Sequence, residues 1–163
     1  MSRALFAAAA TALLMSATPV FALQTVEAAQ VLEVAPEAAE AASVVDAFHA
    51  ALEAGDTASA LTFMAEDVMI FEEGGAERSR DEYASHHLQA DASYAAASES
   101  TMTRRAGWVD GDVAWITSEG STTGQAGNSA TTRLTVETMV LKRGQEGWRI
   151  QHIHWSSRAA PAA

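Results

Sequence analysis

The chain of 163 residues has no cysteine, three prolines, two tyrosines and only ten Lys and Arg residues against 21 Asp and Glu. The missing cysteines exclude disulfides, thiol nucleophiles, thiolate metal sites, iron–sulfur clusters and a lipoprotein-type lipid anchor. Stability must then come from a packed core. The shortage of basic residues leaves a formal charge of -11. That charge opposes binding to nucleic acid and to anionic membrane surfaces, because both are polyanions. A phosphate loop, a dinucleotide fingerprint and a serine elbow are also missing. The glycine-rich pieces separate strand-like runs rather than joining a strand to a helix.

What is present begins with the pattern of an export signal. Met1-Ser2-Arg3 is a short positive region, Ala4 to Met15 is apolar, and Val20-Phe21-Ala22 suits cleavage after Ala22. The apolar run is too short to cross a bilayer. The expectation is an exported protein without a membrane anchor once the signal is cleaved, periplasmic in a Gram-negative host and secreted otherwise. Cleavage removes Arg3 and no acid, so the charge moves from -11 to -12. Residues 23–42 are rich in Ala and Glu and interrupted by Pro36, which reads as a linker of partial helicity. Residues 43–158 read as one domain, and 159–163 as a flexible tail.

Within the domain, Val44, Val45, Phe48, Ala51 and Leu52 recur at helical spacing, and Gly55 follows as a stop. Asp56 or Thr57 caps a second, short helix through Leu61 and Phe63. Val68 to Glu72 reads as a strand ended by Gly74-Gly75. Ser79 and Glu82 form a capping box for a third helix through Tyr83, His87, Ala90 and Tyr94. Residues 98–108, 113–123, 130–142 and 148–157 are strand-like, separated by turn-forming segments. Helices first and strands afterwards predict an α+β fold, with three helices on one face of a curved antiparallel sheet.

The last strand concentrates the candidate chemistry. Strict alternation over Trp148 to Ser157 sets Trp148, Ile150, His152 and His154 on one face. Two imidazoles on an apolar face need hydrogen bonds, a charged partner or a ligand. A hairpin with Leu141 opposite Trp148 sets Glu137 opposite His152, where a carboxylate would raise the histidine pKa and lower its own. Such a pair serves either general acid/base chemistry or a structural ion pair. On the third helix His87 shares a face with Tyr83. Convergence of His87, His152 and His154, with Glu72 or Glu137, would suit Zn, Cu or Fe. Otherwise no cofactor is expected. Glu72 is a second candidate pocket carboxylate, Tyr83 a candidate oxyanion donor and Trp148 a candidate ligand contact. His49, between apolar helix positions, reads as a surface or rim residue. Ile153 and Trp155 alternate with Arg149 and Gln151 on the face opposite the histidines, which predicts a homodimer through that face.

Two segments carry a family resemblance. Phe71-Glu72-Glu73-Gly74-Gly75-Ala76-Glu77-Arg78-Ser79-Arg80-Asp81-Glu82-Tyr83, with His86-His87-Leu88 and Asp91, resembles the SnoaL-like branch of the nuclear transport factor 2-like superfamily. The ending Gly147 to Arg158 is similar to that branch's last strand. The resemblance implies a cone-shaped α+β barrel, its sheet wrapped around a pocket and closed by helices. It also implies a small organic ligand, with isomerase, cyclase or dehydratase chemistry, or else a non-catalytic binding, dimerisation or accessory role. Cyclases and isomerases of this superfamily typically carry an Asp inside the cone. The last two strands here contain none and offer Glu137, His152 and His154 instead.

Overall fold

The structure, a computed structural model, describes residues 34–126 and 129–161. The expected signal, and the expected linker up to residue 33, lie outside the described residues. From Val34 onward the chain is already part of the fold. Val34 bridges to Gly107, Pro36–Ala38 form a 3-10 turn, and Ala38 is fully buried. The domain thus begins ahead of the expected boundary at Ser43.

Helix α1 (Ala39–Glu53) buries Ala41, Ala42, Val45, Phe48, Ala51 and Leu52 on one stripe, the spacing of an amphipathic helix. Asp56 caps α2 (Thr57–Thr62) by accepting from the Ser59 amide at 3.0 Å. Strands β1 (Met64–Glu72) and β2 (Gly75–Glu77) form a hairpin. The third helix is two helices, α3 (Arg80–His86) and α4 (Leu88–Ala96), with His87 at the break. The Ser79 hydroxyl accepts from the Glu82 amide at 3.0 Å, as a capping box requires. The Glu82 carboxylate reaches back to the Arg78 amide at 2.7 Å.

Four long strands follow: β3 (Glu99–Asp110), β4 (Val113–Ala126), β5 (Ser129–Gly144) and β6 (Gly147–Ala159). They pair as an antiparallel meander, and β6 then pairs in parallel with β1. The sheet order is β2-β1-β6-β5-β4-β3. The α+β class and the curved sheet agree with expectation. The sheet is not closed, because β2 and β3 remain as edges, and among the described residues four α-helices rather than three precede the meander. The core lies between α1 and the inner sheet face, where Ile70, Ile116, Met139, Leu141, Ile150 and Ile153 have essentially no exposure.

The last hairpin departs from the expected register in two steps. Its turn is short, so Gly144 pairs with Gly147 and Leu141 with Ile150. This moves the pairing by two residues and leaves the faces unchanged. A β-bulge then falls at Gln151, between the pairs Leu141–Ile150 and Val140–His152. One extra residue exchanges the two faces for the rest of the strand. Trp148 and Ile150 point inward before the bulge, and Ile153 and Trp155 after it. Glu137 therefore pairs with Trp155, not His152. His152 and His154 face outward beside Met69 and Phe71, with the His152 and Phe71 rings 5.0 Å apart edge to face. The Gln151 amide donates to the Asp67 carboxylate at 2.8 Å, tying the bulge to the irregular stretch of β1. Ile153 is fully buried and Trp155 largely so, which removes both from the surface proposed for dimerisation.

Candidate functional site

The inner face of the sheet, with α1 and α4, borders an open cavity of ≈ 800 Å³, within the usual range for small-molecule sites. One row of the sheet crosses it. Glu72 pairs with Trp155, Trp155 with Glu137, Glu137 with Ser118, and Ser118 with Arg105. All five side chains line the cavity.

Glu137 is the centre of this row, and its side chain is only 9% exposed. Its Oε2 accepts from His49 Nε2–H at 2.8 Å and from the Trp155 indole N–H at 2.8 Å. Its Oε1 is out of contact with solvent and has no donor among the described residues. Phe48 positions both donors, stacking on Trp155 at 6.4 Å and meeting the His49 ring edge-on at 5.6 Å. Helical geometry lets one residue serve the core while the next reaches the cavity. Phe48 is fully buried, whereas the His49 side chain is 37% exposed. Arg105 supports the row through an ion pair with Asp46 and a 3.2 Å bond to Ser118.

Burial disfavours the His49 cation, but the hydrogen bond and charge of Glu137 outweigh it, so the His49 pKa lies above its ordinary value. Burial likewise opposes the Glu137 anion. The bond and charge of His49, with the Trp155 bond and the Arg105 charge, overcome it and hold Glu137 below the usual carboxylate value.

A second polar group lies along the same wall. His87 Nδ1–H donates to the largely buried Glu77. The fully buried Tyr83 donates to Asp91 at 2.8 Å. Burial and the Asp91 charge push the Tyr83 phenol well up, so it remains a donor. Partial burial, then the Asp91 charge, raise Glu72. Burial raises Asp91 despite the Tyr83 bond and the His87 charge.

Of the residues singled out in the sequence, the cavity brings together Glu137, Glu72 and His87, while Tyr83 lies behind Asp91. It does not include His152, His154 or Trp148. His152 donates from Nδ1 to the Met69 carbonyl at 2.9 Å on the outer face. Trp148 is core, 3% exposed, with the Arg143 guanidinium 4.9 Å from its ring centre. His87, at the cavity, and the two outward histidines do not converge. Among the described residues no group of three His, Asp or Glu side chains is arranged to hold a metal ion. The residue that sequence reasoning missed is His49. Its signal was available, since it follows the buried Phe48 on α1, but its partner lies 88 residues away.

The coupling of His49 to Glu137 has a pH signature. His49 is raised, so its contribution to stability is complete below its ordinary value of 6.5 and is lost as pH rises through the folded value. Glu137 is lowered, so its contribution is complete above 4.5 and is lost as pH falls through the folded value. The stability lead of the parent over Glu137→Gln should be widest between those two values and narrow on either side, as read by urea denaturation. NMR titration should show His49 losing its proton at lower pH in Glu137→Gln, where burial persists without the carboxylate. An unchanged His49 titration would mean that the side chains do not meet.

Comparison with known proteins agrees with this architecture. The SnoaL-like domain model matches residues 41–161. A candidate ketosteroid isomerase from Shewanella frigidimarina is 38% identical over 72% of this chain and 94% of its own, with a TM-score of 0.66. A candidate dehydratase of the NTF2-like family from Streptomyces avermitilis is 20% identical, covering 76% and 97%, with a TM-score of 0.62. The CaMKII hub of S. rosetta is also 20% identical, covering 76% and 98%, with a TM-score of 0.63. At that identity the last two show a shared fold alone. No curated protein matches the chain. With the family model spanning the meander, the helices and the cavity between them, the chain belongs to the SnoaL-like family of the nuclear transport factor 2-like superfamily.

Proposed function

We propose that this protein is an exported acid/base catalyst acting on a small, partly apolar organic molecule, with Glu137 as base and His49 as its partner acid. The observation that carries the reading is the state of the Glu137 carboxylate. One oxygen is held by two donors, while the other, buried at the cavity wall, has none. A buried polar atom without a partner is costly, and a bound ligand that donates to it removes the cost. The lowered Glu137 pKa keeps the base ionised at neutral pH, trading some basicity for full occupancy of the reactive form. The proton leaves a carbon next to a carbonyl for the Glu137 carboxylate, which lines the cavity. Its return at another atom gives isomerisation, and its loss with a departing hydroxide gives water and a dehydrated product. The likeness to the Shewanella frigidimarina protein supports this reaction class. An open cavity of ligand size, rather than a filled cone, favours it over a purely structural domain.

The proposal is tested with β-tetralone, an enolisable ketone, by following deuterium exchange by NMR. The parent should accelerate exchange, and Glu137→Gln should lose about 10²-fold or more of that rate, the usual scale of one general base. Equal rates in both proteins would overturn the assignment. No acceleration by the parent would favour a non-catalytic binding domain.

The outer sheet face supports a second property. Met69, Phe71, Trp108 and Val136 are exposed there, and the Trp108 and Trp115 rings stack at 6.0 Å. An apolar surface of this kind marks association. We propose a homodimer through this face, in place of the Ile153 and Trp155 surface. Sedimentation at micromolar concentration should give the dimer mass, and Phe71→Arg with Trp108→Glu should give the monomer. A monomeric parent would refute it.

A further inference from the structure

The charge of the cavity wall is lopsided in a way that selects a ligand. Eight carboxylates and two arginines line it. Each cationic group there already has an acid of its own among the described residues. Arg105 pairs with Asp46, Arg133 with Glu73 at 3.7 Å, His49 with Glu137, and His87 with Glu77. An anionic ligand would therefore find no free cation on the wall and would meet several uncompensated carboxylates. Glu72 and Asp91 are in the opposite position. Neither has a cationic partner among the ion pairs of the described residues; they lie within electrostatic reach of each other, and the positive group that acts on both, His87, is already paired with Glu77. Among the described residues the Asp91 carboxylate accepts only from the neutral Tyr83 phenol.

A second observation points the same way. Glu137, nine-tenths buried in the same wall, leaves Oε1 without a donor. That atom calls for a ligand that gives a proton or a hydrogen bond, not one that only accepts. Trp155, between Glu72 and Glu137 in the sheet row, and Tyr94, 52% exposed, add aromatic lining to the cavity. Aromatic faces favour cations through their quadrupole.

We propose that the ligand of this cavity carries a protonated amine that seats against Glu72 and Asp91, with its apolar body along Tyr94 and Trp155. This assignment rests on the reading of the cavity as the functional site, and it adds the substrate class. An ammonium group supplies three donors and one positive charge. It offsets the charge that Glu72 and Asp91 otherwise carry unpaired in a partly desolvated wall. Burial holds both carboxyls above their ordinary values, and a bound ammonium should lower them.

The test uses three probes that share an indole ring and a two-carbon arm or its closest equivalent: tryptamine, tryptophol and indoleacetate. Each is titrated into the ¹⁵N-labelled full chain, and the Trp155 indole N–H resonance is followed, assigned by its loss in Trp155→Phe. Tryptamine should move that resonance and bind about tenfold or more tightly than indoleacetate, the scale expected for one opposite charge in place of a like one at a partly exposed site. The preference should shrink as salt is raised. It should fall to within about twofold in Glu72→Gln with Asp91→Asn, where neutral amides replace both anions. Circular dichroism checks folding of that double variant, and Glu72→Gln alone serves if it fails. Indoleacetate binding as tightly as tryptamine, or a preference that survives in the variants, would overturn the amine assignment. Tryptophol and indoleacetate shifting Trp155 while tryptamine does not would sink this assignment and leave the cavity as a ligand site. No shift from any probe would count against both.

Discussion

The structure turns on one extra residue. The bulge at Gln151 exchanges the faces of β6 halfway along its length, and the assignment of inside and outside follows from it. Before the bulge Trp148 and Ile150 fill the core; after it Ile153 continues the core and Trp155 enters the cavity. Without the slip, His152 and His154 would face α1 and Trp155 would face solvent. With it, Trp155 can donate to Glu137, Phe48 can stack on Trp155, and His49 can complete the pair. Gln151 anchors the slip by bonding to Asp67 on the neighbouring strand.

Much of the fold was legible in the chain. The helical stripe through Val45, Phe48 and Leu52, the cap at Ser79 and the four-stranded meander all appear where period and turn chemistry put them. These signals are local, so a single sequence carries them. The site was legible only in part. Glu137 and Glu72 reach the cavity, but the partner expected for Glu137, His152, lies three residues along β6 from the observed Trp155 and on the other face. Strict alternation was the cause. The spacing of apolar residues in β6 does contain the correction. Trp148, Ile150, Ile153 and Trp155 step by two, three and two, and the step of three is the bulge. His49 was illegible for a different reason. Nothing local on α1 signals a carboxylate that arrives 88 residues later in β5.

Placing the inner and outer faces correctly also divides the chemistry. The inner face holds a carboxylate–imidazole pair of a buried Glu137 and a part-exposed His49, and their mutual bond and charge move both pKa values toward the charged forms against the cost of burial. It also holds a group of acids that lack such compensation. Membership of the SnoaL-like family fixes neither property, since the fold hosts many activities and the site decides among them. On the cavity wall the Glu137 side chain lies within reach of donors from both α1 and β6. The outer face, with His152 and His154 among exposed apolar residues, lies away from the cavity.

The central claim is therefore the register of the last hairpin, and cross-strand nuclear Overhauser effects read it directly. In ¹³C,¹⁵N-labelled protein, backbone protons of Glu137 should connect to Trp155, those of Val140 to His152, and those of Leu141 to Ile150. A connection between Glu137 and His152, with regular pairing through Gln151, would contradict the account and return the histidines to the inner face.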